Sequence, residues 1–160
     1  MHNIDRKKVP SFIADCHLGK LAKYLRFMGF DTLYFPQIDD NELIELANKE
    51  DRVVLTRDRE LYKRKKADCV LLQEIEIGRQ LQEVIRMFDL KNNTCDLSRC
   101  IVCNQPLIVV EKEDILERLP PKVAIYFSYF ELCKECDRLY WHGDHYKRMK
   151  AYLEKILESI

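Results

Sequence analysis

The chain has 160 residues, enough for one domain or for a compact domain with a small appendage, and its 27 basic and 27 acidic residues cancel. No global field marks a polyanion-binding protein, so contact with nucleic acid would need a local patch. Met1 to Lys8 lead into no apolar segment of signal-peptide or membrane-spanning length, which predicts a soluble, cytoplasmic protein with no membrane partner; its seven cysteines then read as metal ligands or buried thiols rather than disulfides.

In chain order, Phe12-Ile13-Ala14 is a short apolar strand that runs into Asp15. Leu18, Leu21, Ala22, Leu25 and Met28 then recur at helical spacing, with Gly29 as a C-terminal cap. A second strand is expected within 31–35, followed by a short loop, Asp39-Asp40, and a helix from Asn41 to Lys49. Val53-Val54-Leu55-Thr56 forms a third strand ending in Arg57-Asp58; a basic helix over Arg59 to Lys66 and a strand at Cys69 to Leu72 follow. Ile77, Leu81, Val84, Ile85 and Phe88 give the clearest helical period in the chain. Strands alternating with helices imply a parallel α/β sheet covered on both faces, and such sheets collect ligands at the carboxyl ends of their strands.

That topology brings Asp15, Asp40 and Asp58 to one sheet edge. Any one of them could simply cap the helix it precedes. Asp39, with Glu42 three residues on, resembles a capping box and is assigned to structure, whereas Asp40 would stand at the first helical position with its side chain free. Clustered carboxylates stay ionised only around positive charge, and hard oxygen donors suit catalytic Mg²⁺ or Mn²⁺, which can polarise a phosphodiester. Glu42 stays in reserve as a further acid. Arg57, Arg59 and Lys63 beside the edge, with Lys20 and Arg26 on the first helix, are candidate phosphate contacts, although the same charges would suit a solvated helix face. An Asp-x-Asp after the first strand, an acidic pair near it, a Gly-x-Gly-x-x-Gly and a P-loop are all absent, which argues against haloacid-dehalogenase-type phosphatases, receiver domains and nucleotide-binding folds.

Cys100-x-x-Cys103 and Cys133-x-x-Cys136 are paired knuckles that predict a closed structural zinc site. Leu107 to Val110 and Val123 to Phe127 read as ribbon strands, with a short helix over Lys112 to Leu119 between them. Cys16 and Cys69 read as core or near-core thiols. His142 and His145 read as structural or capping residues, with a second reading in which Trp141 stacks on an RNA base. A final helix carrying Met149, Leu153 and Ile156 is expected to pack the ribbon onto the sheet.

Together these segments resemble the PIN-like ribonuclease family named after the C-terminal part of the Mut-seven exonuclease. The likeness rests on Phe12 to Asp15, Leu18 to Arg26, Gly29 to Asp31, Asp40-x-Glu42-Leu43, Arg52 to Asp58, both cysteine knuckles, and Tyr140 to His145. It implies a three-layer α/β/α PIN-type sheet over 1–95, a zinc ribbon with its packing helix over 96–160, and metal-dependent cleavage of RNA, expected to be single-stranded, with Asp15, Asp40 and Asp58 as metal-holding acids. The chain departs from the family in two places. Asp31, the one acid between Cys16 and Gln37, falls at a strand start on the opposite edge, and Asp144 stands where serine is common. The rival readings are a non-catalytic RNA- or ribosome-binding adaptor and a toxin-type nuclease.

Overall fold

The structure is a computed structural model and describes residues 9–160, so the reading of Met1 to Lys8 lies outside the described residues. Four parallel strands, β1 (Phe12–Ala14), β2 (Thr32–Tyr34), β3 (Val53–Thr56) and β4 (Cys69–Leu71), lie in the order β2-β1-β3-β4. Helices α1 (Gly19–Phe27), α2 (Asp40–Lys49), α3 (Arg59–Lys63) and α4 (Ile77–Phe88) alternate with them. Successive strand residues point to opposite faces, so each strand feeds two cores. Phe12, Ala14, Val53 and Leu55 pack with Leu21, Leu25, Leu81 and Val84 of α1 and α4, while Ile13 and Val54 pack with Leu43, Ile44, Ala47 and Leu61 of α2 and α3. The result is the three-layer α/β/α arrangement expected. The basic helix α3 is shorter than its charge run, because the chain turns through Lys65 at φ 50°.

Residue 95 leads into a second, antiparallel sheet of β5 (Ile108–Val110), β6 (Phe130–Cys133) and β7 (Arg138–Tyr140), in the order β5-β6-β7. The expected helix after Lys112 is present as α5 (Lys112–Ile115) and a 3-10 turn at Leu116–Arg118. Val123 to Phe127 corrects the strand reading: the segment lies largely in α6 (Pro121–Tyr126). Pro121 occupies the first helical turn, where its fixed φ favours a helix start. Val123, Ala124 and Phe127 face the small core of Ile115, Leu119 and Phe130 at helical spacing, leaving Ile125 and Tyr126 exposed. The missed strands β6 and β7 instead flank the second knuckle.

Helix α7 (Asp144–Glu158) brings Met149, Leu153 and Ile156 into the main core, each burial worth about 1.5–3 kcal/mol. Its Tyr146 and Tyr152 rings lie 5.5 and 5.3 Å from Phe27 and Tyr24 of α1. Among the described residues no helix is long and apolar enough to cross a membrane.

Candidate functional site

The strand order reverses between β1 and β3, and the crevice at the carboxyl ends of those two strands is where open α/β sheets seat ligands. Asp15 follows β1 there, its backbone N–H donating to Leu55 O at 2.9 Å. Thr56, which ends β3, is fully buried, and its hydroxyl donates to Asp15 Oδ2 at 2.7 Å while accepting the Asp58 N–H at 2.9 Å. One hydroxyl therefore ties two of the predicted acids to a common frame. Asp58 Oδ1 in turn accepts the N–H groups of Glu60 and Leu61 at 2.9 and 3.3 Å and caps α3, leaving Oδ2 without a hydrogen bond among the described residues.

Asp40 is the first residue of α2 and is exposed; Asp39 is its N-cap, accepting the Asn41 N–H at 2.7 Å, and Glu42 returns no bond to complete a capping box. Cys16 registers both neighbouring acids: its thiol pKa is raised first by its hydrogen bond to Asp15, then by burial, with the Asp40 charge adding to the effect. Cys69 is half-buried, and burial pushes its thiol up to about 11. The three aspartates line the same edge without closing into one cluster. Among the described residues, Cys100, Cys103, Cys133 and Cys136 are the single group of potential ligands whose atoms all lie within 4.8 Å of one another.

Thr56 was not singled out by sequence reasoning, yet a signal existed. Parallel pairing of Ala14 with Leu55 sets Asp15 beside Thr56. Lys20, Arg57, Arg59 and Lys63 are exposed, Lys63 sharing a 3.5 Å pair with Glu60. Arg26 is the exception and corrects the substrate-contact reading. It is 5% exposed, and its guanidinium donates to Thr32 O at 2.8 Å and to Ile101 O and Val102 O at 3.2 and 3.1 Å. All of these are intramolecular acceptors, and burial leaves no room for a phosphate.

Those carbonyls belong to the first cysteine knuckle. Cys100 Sγ lies 4.0 Å from Cys136 Sγ, and Cys103 Sγ lies 3.4 Å from Cys133 Sγ. Tetrahedral Zn–S bonds of about 2.3 Å require sulfurs about 3.8 Å apart, so the four cysteines could hold a zinc ion. Burial pushes the Cys100 thiol up, but the Tyr140 hydroxyl at 3.0 Å and the backbone N–H groups of Cys103 and Val102 outweigh it and bring it down to about 7. A second set of bonds holds this knuckle to the sheet. Asn104 Oδ1 accepts the Thr32 N–H at 2.9 Å, and its Nδ2 donates to Asp31, which also pairs with Arg52 at 2.7 Å. Asp31 is thus a seam residue at the opposite edge. His142 stacks on Tyr146 with ring centroids 4.0 Å apart and planes 9° apart.

No curated protein and no solved structure matches the chain. A family model described as the Mut7-C RNAse domain matches residues 10–153, a span that includes the acidic edge, all four knuckle cysteines and most of α7. The chain therefore belongs to the Mut7-C RNAse domain family.

Proposed function

We propose that the protein is a cytoplasmic, metal-dependent ribonuclease that cuts single-stranded RNA at the carboxyl edge of the parallel sheet. The observation that carries the reading is the Asp15–Thr56–Asp58 linkage beside the switch point, with Asp40 facing the same edge. Asp58 keeps one oxygen outside its capping bonds, Asp40 is exposed, and a set of carboxylate oxygens suits Mg²⁺ or Mn²⁺. These three acids would hold the cation, whose chemistry is to neutralise and polarise the phosphodiester. Thr56 fixes the Asp15 carboxylate, and Lys20, Arg57, Arg59 and Lys63 position the RNA backbone. The unit over 96–160 carries structural zinc and aids substrate binding, while the unit over 1–95 carries the chemistry.

The test is cleavage of end-labelled single-stranded RNA with and without Mn²⁺, comparing wild type with Asp58→Asn. Asparagine keeps the capping oxygen of α3 and removes the charge, so the fold is retained while cleavage falls to background. The separation of the aspartates favours one rival, a non-catalytic RNA-binding adaptor. Equal RNA binding by both proteins, with no Mn²⁺-dependent product from either, would make the adaptor the better reading.

A further inference from the structure

A cavity of about 320 Å³ opens where the ribbon meets the sheet, at the opposite end of α1 from the acidic edge. Its walls include Phe27 from the end of α1, Ile101 from the knuckle, Tyr140 and Trp141 after β7, and Tyr146 and Met149 of α7. Its size is at the small end of the range of about 300–1,000 Å³ usual for ligand pockets, enough for one planar ring system. Two of the aromatic walls are held in place. Tyr146 is backed by the stacked His142, and Trp141 lies against Gly143, where an added Cβ would come within 2.9 Å of the indole nitrogen. The indole N–H has no hydrogen-bond partner among the described residues.

Cationic charge around the cavity comes from Arg138 in its lining and from Lys150, 5.8 Å from the Tyr146 ring; His145 also lines it, and burial, then Lys23 and Arg148, lower its pKa and keep the ring neutral. Asp144 is the one acid in the lining, and Lys150 is shared with Asp96 at 4.0 Å. Lys20 and Lys23 lie on α1 between the acidic edge, where that helix starts, and the cavity, where it ends. Nine residues at about 1.5 Å each separate the two by roughly 13 Å, a reach of a few nucleotides.

We propose that this cavity is a subsite for one unstacked nucleobase of the RNA strand, with the backbone following Lys20 and Lys23 back to the acids. The proposal rests on the ribonuclease reading for its ligand and adds a second point of contact. Single-stranded RNA offers bases that stack on aromatic side chains, and such contacts tolerate any base because each has a π-face.

Trp141 is the only tryptophan in the chain, so its emission reports on the cavity directly. The experiment titrates zinc-loaded wild-type protein, without added Mg²⁺ or Mn²⁺, with a fluorescently end-labelled RNA of about ten nucleotides. Parallel arms use an abasic sugar-phosphate strand of the same length and free nucleoside monophosphates. Label anisotropy reads total binding while Trp141 emission reads the cavity. Saturable quenching by RNA, with about tenfold weaker binding of the abasic strand, is the expected result. Gly143→Ala, whose backbone φ of −84° accepts alanine but whose Cβ displaces the indole, should reduce the quenching and weaken RNA binding by a similar factor. RNA binding with unchanged emission, or equal affinity for the abasic strand, overturns the subsite and leaves the ribonuclease reading standing. Quenching by mononucleotides alone assigns the cavity to a free nucleotide and also overturns it. Absence of any RNA binding removes both. Should Gly143→Ala fail to fold, the wild-type arms decide the matter by themselves.

Discussion

Thr56 shows how one buried hydroxyl can govern two acids. It donates to Asp15 and accepts from the Asp58 backbone, so Thr56→Val would leave a carboxylate and an N–H short of a partner at a fully buried position. Losing such bonds costs about 1–3 kcal/mol, read as a lower urea midpoint, and RNA cleavage should fall because Asp15 is no longer held in place. The aspartates themselves were legible in the sequence because each ends or follows a strand in a chain whose alternation dictates parallel pairing. Thr56 was less so, since the pairing register that sets it beside Asp15 must be known first. Arg26 was misread for a related reason. A charged residue on an amphipathic helix reads as exposed, and only the later fold of the knuckle, 75 residues downstream, supplies the carbonyls that bury it.

At the scale of elements, the seam between the first knuckle and the parallel sheet carries a set of paired polar groups: Arg26, Asp31, Arg52 and Asn104. Burial alone would raise the Asp31 carboxyl, but hydrogen bonds from Arg52 and Asn104 reverse this and hold it below its ordinary value of 3.8. A depressed folded pKa means that Asp31 stabilises the fold above the unfolded value and that this contribution is lost as pH falls through the folded one. Asp31→Asn should therefore be less stable than wild type at neutral pH, and the difference between the two should shrink below about pH 4 in urea titrations run across that window. The elements of the parallel half were readable from periodicity, each agreeing with the structure to within a few residues. The ribbon was harder. The apolar run 123–127 carries no alternation to separate strand from helix until Pro121 is recognised as a helix start.

On the scale of the whole molecule, the two sheets are joined by shared apolar packing as well as by the polar seam. Leu97, Met149, Leu153 and Ile156 belong to the same cluster as Phe12 and Leu55, so the C-terminal helix completes the core of the parallel half. Structural metal in a closed four-cysteine site contributes its binding free energy to folding. Loading the four cysteines with zinc should thus raise the melting temperature of the entire chain in a single transition, as differential scanning calorimetry would record, rather than raising that of the ribbon alone. That the last helix serves both halves was partly legible, because its apolar stripe is too long for a small ribbon to cover.

Asn104 has one more consequence, which concerns self-association. Strand β2 is one of the two outer strands of the parallel sheet, and outer strands present free backbone groups that template pairing with another chain. Here the Thr32 N–H is occupied by the Asn104 side chain, one residue beyond a knuckle cysteine and held at φ 76° by the turn. The cysteine knuckle thus acts as a guard on the sheet edge, and a chain that lost its grip on the knuckle would uncover a strand able to recruit its neighbours into aggregates.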